Sequence, residues 1–396
     1  MNKKLLVDKT FALAVQNQQK NNLHEAKNLY EELLKTDKNH VVAYNNLGIV
    51  FKKLGEFQKA KNCYKKSIKI NPNYADAHYN FGNLLQELGE LQKAKNCYEV
   101  AIKINPYYSN AHYNLGIVFQ RSREREKAIS CFQKTIEIQP NYVDAYWCLH
   151  SFSFDIDEAL KTLRKALQVN NKFLKAKIMI CVLEGFKGNF NDFDFLIRST
   201  DLNHPYTRSA KWVFSLPKLP KLFFNRWDFF DAVIKLAEKS RPFYEFGVWH
   251  GMSFQYLINT FKKGFGFDTF VGLPESWDKV AKGSYSSFGN VPKIAGGEFI
   301  VGEFKKTLPK FFSKKRPLSS LINFDADLYS STLDALNYSK GVIDKKSILI
   351  FDEFLMNEKW EDDEYKALNE FCEKFNFKYE VLAVSFFSKQ VAVKII

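Results

Sequence analysis

The chain has 396 residues, of which 46% are hydrophobic, and a formal net charge of +14 at pH 7. Because domains usually contain about 100–200 residues, this length predicts at least two of them. The sequence has no uninterrupted apolar run of the roughly 18 residues that a membrane-spanning helix needs, and no nucleic-acid-binding motif accompanies the positive charge. We therefore expect neither a membrane span nor a nucleic-acid partner.

The start of the chain and its cysteines predict a cytoplasmic protein. Asp8 and Lys9 interrupt the first apolar run, so we do not expect a secretory signal. The six cysteines include no C-x-x-C pair of the kind that binds metals, and three of them recur at even spacing, as small buried residues do. This cysteine usage fits a reducing compartment.

A repeat of 34 residues occupies the N-terminal half, with units that begin at Ala43, Ala77 and Ala111. Small residues, which allow two helices to approach closely, recur in register at Gly48, Gly82, Gly116, Ala60, Ala94 and Ala128. A proline ends each unit. The pattern resembles the tetratricopeptide repeat, and weaker matches extend it in both directions. We predict an all-α tetratricopeptide superhelix over residues 1–198.

Asparagine recurs two positions before the glycine of each repeat, at Asn46, Asn80 and Asn114. The amide and carbonyl of an asparagine side chain can both bond the backbone of an extended peptide. The series resembles the asparagine ladder in the repeat domain of O-GlcNAc transferases, which implies a protein or peptide partner along a groove. The alternative is that these asparagines only face water.

The next segment, residues 199–240, predicts a packed linker that ends in a helix, because closely spaced prolines precede an aromatic cluster. Beyond it, over residues 241–396, apolar runs alternate with helical segments, which predicts a parallel sheet covered by helices. The last two runs, YEVLAVSFF and QVAVKI, are too close together for a crossover, so we expect an antiparallel hairpin. This α/β arrangement resembles the Rossmann-like class I S-adenosylmethionine-dependent methyltransferases.

The stretch YEFGVWHGMS has the pattern of a cofactor-binding loop between a strand and a helix. Glu245 and Gly247 end the strand, and Gly251 and Ser253 open the helix, where glycine lets the backbone approach a ligand and the helix supplies amide donors. Asp268 ends the next strand, at the position where an acid suits ribose hydroxyls. The close glycine pair of NAD-binding loops and the lysine of ATP-binding loops are both missing.

Four acids follow two further strands. Asp325 and Asp327 come after LINF, and Asp352 and Glu353 come after ILIF. Neighbouring parallel strands end at one edge of a sheet, so these carboxylates are expected to meet. Clustered carboxylates repel each other unless a cation lies among them, and oxygen ligands suit Mg²⁺. Alternatively, Asp327 only precedes a helix whose N-cap is Ser330.

Five motifs in this half, in chain order, resemble the macrocin-type sugar O-methyltransferases: EFGVWHGMS, GFDTFVGLPE, VGEFKKTLP, NFDADLYSST and FDEF. The resemblance implies S-adenosylmethionine and Mg²⁺ as cofactors, a sugar or glycan acceptor, and metal ligands at Asp325, Asp352 and Glu353. It covers about residues 243–376, and this family usually has two aspartates where the chain has Asp352 and Glu353.

The mechanism then needs a base and a covering loop. Asp325 or Asp327 is expected to remove the acceptor proton, with His250 beside the cofactor loop as another candidate. The long irregular segment 269–297 predicts a substrate lid with Tyr285, Ser286 and Ser287 as polar contacts, or else a disordered insertion.

The sequence thus favours an S-adenosylmethionine-dependent O-methyltransferase whose repeats recruit a partner. One alternative is a protein or peptide methyltransferase that binds its substrate along the repeat groove. Another is a repeat-based adaptor with an inactive methyltransferase domain.

Overall fold

The computed structural model describes residues 3–199, 204–277 and 280–396. The chain divides into two compact units, one ending at Ala145 and one beginning at Tyr146, here called the repeat unit and the sheet unit. In the described ranges, no helix is long and apolar enough to cross a membrane.

The repeat unit consists of consecutive helix pairs, as the 34-residue period predicts. Its helices are α1 (Lys3–Gln19), α2 (Leu23–Thr36), α3 (Val41–Lys53), α4 (Phe57–Ile70), α5 (Ala75–Glu87), α6 (Leu91–Ile104), α7 (Ser109–Arg121) and α8 (Arg125–Ile138). In the three pairs from α3 to α8, a glycine of the first helix faces an aromatic ring of the second. A Cβ atom at Gly82 would lie only 2.6 Å from the ring of Tyr98, and Gly48 and Gly116 are equally close to Tyr64 and Phe132. Glycine at these positions therefore sets the spacing between the two helices.

The sheet unit surrounds an eight-stranded sheet. Its helices are α9 (Val143–His150, which begins in the repeat unit), α10 (Ile156–Val169), α11 (Leu174–Phe186), α12 (Asn191–Ser199), α13 (Pro205–Phe214), α14 (Arg226–Leu236), α15 (Met252–Phe261), α16 (Phe304–Phe312), α17 (Tyr329–Ser339) and α18 (Glu364–Phe375). Its strands are β1 (Lys221–Leu222), β2 (Phe243–Phe246), β3 (Gly264–Asp268), β4 (Gly297–Val301), β5 (Leu321–Phe324), β6 (Ile348–Phe351), β7 (Tyr379–Ser385) and β8 (Gln390–Ile395).

The strand order is β1-β7-β8-β6-β5-β2-β3-β4. Strand β8 runs antiparallel to both of its neighbours, β6 and β7, and the other pairs are parallel. The mixed α/β character predicted for the C-terminal half is confirmed, and the terminal hairpin is present. Strand β1 and helix α13 lie in the segment that the sequence predicts as linker, and residues 200–203 of that segment lie outside the described residues.

The boundary between the units lies earlier than the repeat array's predicted end at residue 198. Helices α10 and α11 contribute Leu160, Leu163 and Met179 to the same hydrophobic cluster as Tyr244 and Phe246 of β2. Because that cluster is the core of the sheet unit, these helices pack with the sheet unit even though their sequence resembles degenerate repeats.

A row of phenylalanine rings crosses the sheet where four parallel strands end. Phe246 stacks on Phe267 with ring centroids 4.8 Å apart and on Phe324 at 5.4 Å, and Phe324 stacks on Phe351 at 4.9 Å. The strand register pairs the same residues, so the residue after each phenylalanine lies at one edge of the sheet. Because the stacked rings align the four strands, the side chains that follow them begin at the same level along the sheet.

We expect Phe324→Leu to destabilise the sheet unit, because it removes two ring contacts worth about 0.5–1.5 kcal/mol each. All six tryptophans lie at or beyond Trp147, so tryptophan fluorescence during urea unfolding reports on this unit alone. Phe288→Leu is the matched control because Phe288 is 60% exposed. Equal midpoints for the two variants would contradict the prediction.

Candidate functional site

The carboxyl edge of the sheet aligns the predicted site residues. Gly247, Asp268, Asp325 and Asp352 each follow one of the stacked phenylalanines. Backbone bonds hold this alignment: the Asp325 amide donates to the Phe246 carbonyl at 2.8 Å, and the Asp352 amide donates to the Phe324 carbonyl at 3.0 Å. The residues of the predicted cofactor loop and two of the predicted metal ligands therefore lie side by side.

Glu245 is fully buried on β2 and lies beside Asn323 of β5. Its Oε1 atom accepts hydrogen bonds from the Ser253 hydroxyl and, at 3.1 Å, from the Asn323 amide. Its Oε2 atom is buried and has no hydrogen-bond partner among the described residues. Burial raises the pKa of Glu245 to about 8, although both hydrogen bonds lower it.

This buried acid predicts a pH-dependent stability. When the pKa of a glutamate is higher in the folded state than in the unfolded state, its contribution to stability is complete only at pH values below the unfolded-state pKa. That contribution is lost as the pH rises through the folded-state pKa, here about 8. Each pKa unit corresponds to about 1.4 kcal/mol. We expect Glu245→Gln to flatten the decline in urea-unfolding midpoint between about pH 5 and about pH 9. Parallel pH profiles for wild type and variant would contradict the prediction.

The loop between β2 and α15 is built around two glycines and Asp268. Gly247 has φ +89°, and a Cβ atom there would overlap the backbone carbonyl of Asp325. Gly251 has φ +75° and is the N-cap residue of α15. The Asp268 carboxylate accepts from the amides of Val248 at 2.8 Å and Trp249 at 2.7 Å, through Oδ2. Asp268, the predicted ribose acid, thus anchors the loop between β2 and α15.

The four predicted acids at the ends of β5 and β6 are close enough to perturb one another. Burial and the neighbouring Asp352 raise the pKa of Asp325 well above its usual range. Burial, Glu353 and Asp352 raise the pKa of Asp327 to about 8. Asp327 also has φ +60°, a conformation that residues other than glycine rarely adopt and that is concentrated at functional sites.

Side chains from outside the parallel strands neutralise part of this acidic cluster. Arg226, the first residue of α14, forms an ion pair with Asp352, whose other oxygen accepts from the Gln390 amide at 2.6 Å. Lys389 donates to Glu353 at 2.7 Å. Burial lowers the pKa of the Arg226 guanidinium, but the surrounding acids outweigh this and raise it above its usual value.

A fifth acid, Glu364, joins the cluster, although no sequence motif distinguishes it. It is fully buried at the start of α18, and its Oε2 atom accepts from the Glu353 backbone amide at 3.1 Å. Burial, Asp352 and Asp327 raise its pKa well above the usual range. The sequence signal was the acidic run WEDDE, which is typical of any solvated helix start.

The donor set does not fit a divalent cation as it is arranged. Two of the three predicted ligands, Asp352 and Glu353, already bond to Arg226, Gln390 and Lys389. Over the described ranges, no group of three His, Cys, Asp or Glu residues is placed to hold a metal ion. The magnesium site remains a prediction from family resemblance.

The other predicted base, His250, lies within the loop between β2 and α15, with its ring centroid 4.5 Å from that of Trp249. Ser330 is not the N-cap of α17, because the helix begins at Tyr329 and Leu328 occupies the cap position. The Ser330 hydroxyl instead donates to Glu275 of the predicted lid, at 2.5 Å.

The predicted lid is tied to the helices beside the acidic cluster. In addition to the bond that Glu275 accepts, the indole N–H of Trp277 donates a hydrogen bond to the Asp363 carboxylate at 3.4 Å. The Ser287 hydroxyl is buried and donates to the Asn290 carbonyl at 2.8 Å, whereas Tyr285 is 47% exposed. Asp278 and Lys279 lie outside the described residues. Of the three predicted contacts, Tyr285 is the most accessible.

In the repeat unit, the predicted asparagine ladder bonds to neighbouring side chains. The Asn80 amide donates to Asn45 at 3.0 Å, and the Asn114 amide donates to Asn83 at 2.8 Å, so each joins two successive repeats. Asn46 donates to the Tyr30 hydroxyl at 3.2 Å. All three ladder residues are half-buried, and Asn80 also lines a surface cleft with Ile49, Lys52, Lys53, Tyr64, Asn83 and Glu87.

Family models match the repeat unit in three ways. Models described as tetratricopeptide repeat match residues 41–74, 109–142 and 63–96, and one described as TPR repeat matches residues 82–122. No curated protein matches this chain.

Several solved structures are similar to part of the chain. A crystal structure of MamA has 30% identity and a TM-score of 0.38, covering 41% of this chain and 96% of its own. PilF of Pseudomonas aeruginosa has 17% identity and a TM-score of 0.46, covering 54% of this chain and 99% of its own. YrrB, described as a TPR protein with an unusual peptide-binding site, has 20% identity and a TM-score of 0.37, covering 47% and 98%. The family models and the observed helix pairs together identify residues 41–142 as tetratricopeptide repeats.

Proposed function

We propose that the sheet unit is an S-adenosylmethionine-dependent O-methyltransferase for a sugar or another polyhydroxyl acceptor, and that the repeat unit recruits a protein partner. The observation that carries this proposal is the alignment of Gly247, Asp268, Asp325 and Asp352 at one edge of the sheet. Open α/β sheets bind ligands beyond the carboxyl ends of their strands. The strand order, with β8 antiparallel between β6 and β7, supports the proposal because it resembles that of class I methyltransferases.

The residues around the cofactor loop fit S-adenosylmethionine. The buried Glu245 Oε2 atom lacks a hydrogen-bond partner among the described residues, and Gly247 and Gly251, which carry no side chain, belong to the loop between β2 and α15. Glu245 and Asp268 would hold the cofactor, which supplies an electrophilic methyl group when bound, and glycine in the loop lets the backbone approach it.

The acidic cluster would handle the proton. We assign the general base to the carboxylate of Asp327, which accepts the proton that the acceptor hydroxyl loses as its oxygen is methylated. Asp325 lies beside it, and the positive charge of Arg226 acts on both acids. The lid residues Glu275 and Trp277 help to exclude water from this edge. No step of this mechanism depends on a metal ion.

Calorimetric titration of the full-length protein with S-adenosylmethionine, with and without Mg²⁺, tests the cofactor assignment. We expect one binding event per chain, followed by transfer of labelled methyl groups to a sugar acceptor. Absence of binding under both conditions would overturn the enzymatic proposal.

A repeat-based adaptor is the second candidate function, because every family-model match lies between residues 41 and 142. Tetratricopeptide arrays present extended surfaces that suit protein partners. The double substitution Asn80→Ala and Asn114→Ala in the full chain should reduce partner capture, with helix content by circular dichroism as the control. If Gly247→Ala captures the same partner as wild type, recruitment does not require the cofactor site.

A further inference from the structure

Arg226 is held in place by a buried cap at the start of α14. The Asn225 side chain accepts from the amides of Trp227 and Asp228, both at 3.0 Å, and donates to the Ser151 carbonyl at 3.0 Å. Asn225 is only 6% exposed. The cap therefore fixes the backbone position from which the Arg226 side chain reaches the acidic cluster.

The partners of Arg226 are the acids that the family resemblance assigns to a metal. Its guanidinium forms an ion pair with Asp352, which is buried, and electrostatic attraction extends to Asp325 and Glu353. The second oxygen of Asp352 is taken by Gln390, which is fully buried. The adjacent residue, Lys389, bonds to Glu353. Each predicted metal ligand thus has a cationic side chain of this same chain as a neighbour.

We infer that Arg226, assisted by Lys389, replaces the divalent cation of this site, so that the carboxylate cluster operates without a bound metal. This inference rests on the proposed function. A guanidinium carries five N–H donors, and one is given to Asp352 in the described part of the chain. The others suit the paired oxygens of a polyhydroxyl acceptor, which a metal would otherwise chelate. Arg226 is therefore the positioning residue for such an acceptor.

Manganese binding by the full-length, chelator-treated protein tests this inference without cofactor or acceptor, so its outcome is independent of whether methyl transfer occurs. Binding is measured as the decrease in the electron paramagnetic resonance signal of free Mn²⁺. We expect wild type to leave the signal unchanged. Arg226→Ala should gain one-to-one binding, because it frees the oxygen of Asp352 for a metal.

Arg241→Ala is the matched control, since Arg241 forms its own ion pair with Asp344 at 2.8 Å and should gain no Mn²⁺. If Arg226→Ala does not fold, Arg226→Met keeps most of the side-chain volume without the charge. One-to-one Mn²⁺ binding by wild type that disappears in Asp352→Asn would overturn the inference. So would a rise of the wild-type unfolding midpoint on addition of Mg²⁺, because a ligand of the folded state stabilises it.

Discussion

Gly247→Ala is expected to abolish S-adenosylmethionine binding and to destabilise the sheet unit. Two effects add at this position. An L-residue in the left-handed region costs about 1–2 kcal/mol, and Gly247 has φ +89°. The new Cβ atom would also overlap the carbonyl oxygen of Asp325. Forcing such an overlap apart costs about 1–3 kcal/mol more. Urea unfolding followed by tryptophan fluorescence measures the loss of stability.

Gly188→Ala separates the two effects. Gly188 belongs to the same unit and has φ +88°, but a Cβ atom there would have no neighbour within 4 Å. It should therefore show only the backbone effect and should retain cofactor binding. If both variants lose the same stability and both bind cofactor, the close approach between the loop and Asp325 has no energetic role.

Asp327→Asn is expected to lower the rate constant for methyl transfer by about 10²–10⁴-fold, the usual contribution of a positioned general base. The amide keeps the shape of the side chain but cannot accept the acceptor's proton. Binding of S-adenosylmethionine should be unchanged, since Glu245 and Asp268 are intact. Single-turnover transfer of labelled methyl groups, with calorimetry in parallel, separates the rate from the affinity.

Asp334→Asn provides the control for that experiment. Asp334 lies on α17, a few residues further along the chain, and is also half-buried with a raised pKa caused by burial. It should retain the wild-type rate. A full rate in Asp327→Asn would remove Asp327 from the mechanism, and the same substitution at Asp325 would then identify the base.

The sequence predicted those parts of the site that follow directly from strand pattern. Asp325 and Asp352 each come immediately after a buried apolar strand, and in-register pairing of β5 with β6 makes them neighbours. Arg226 could not be found in this way. It is the first residue of a helix far away in the chain, and no local pattern specifies where such a helix packs. Lys389 and Gln390 belong to the terminal hairpin. They could not be predicted either, because no local pattern specifies that this hairpin packs beside the acids.

The end of the repeat array was the least predictable boundary. Helices α10 and α11 keep the apolar spacing of a repeat, so their sequence resembles the array that precedes them. Their buried residues nevertheless pack in the core of the sheet unit, with β2 and other strands. Periodicity identifies the face of a helix that is buried, but the partner against which that face is buried depends on the whole fold.

The short strand β1 has a consequence for handling the protein. Lys221 and Leu222 pair with Ala383 and Val384 of β7, and so cover what would otherwise be the open border of the sheet. Uncovered strand borders invite pairing between molecules and aggregation. An expression fragment trimmed to residues 241–396 would leave this part of β7 uncovered and would also lose α10 and α11, which pack in the same core, so we expect it to aggregate.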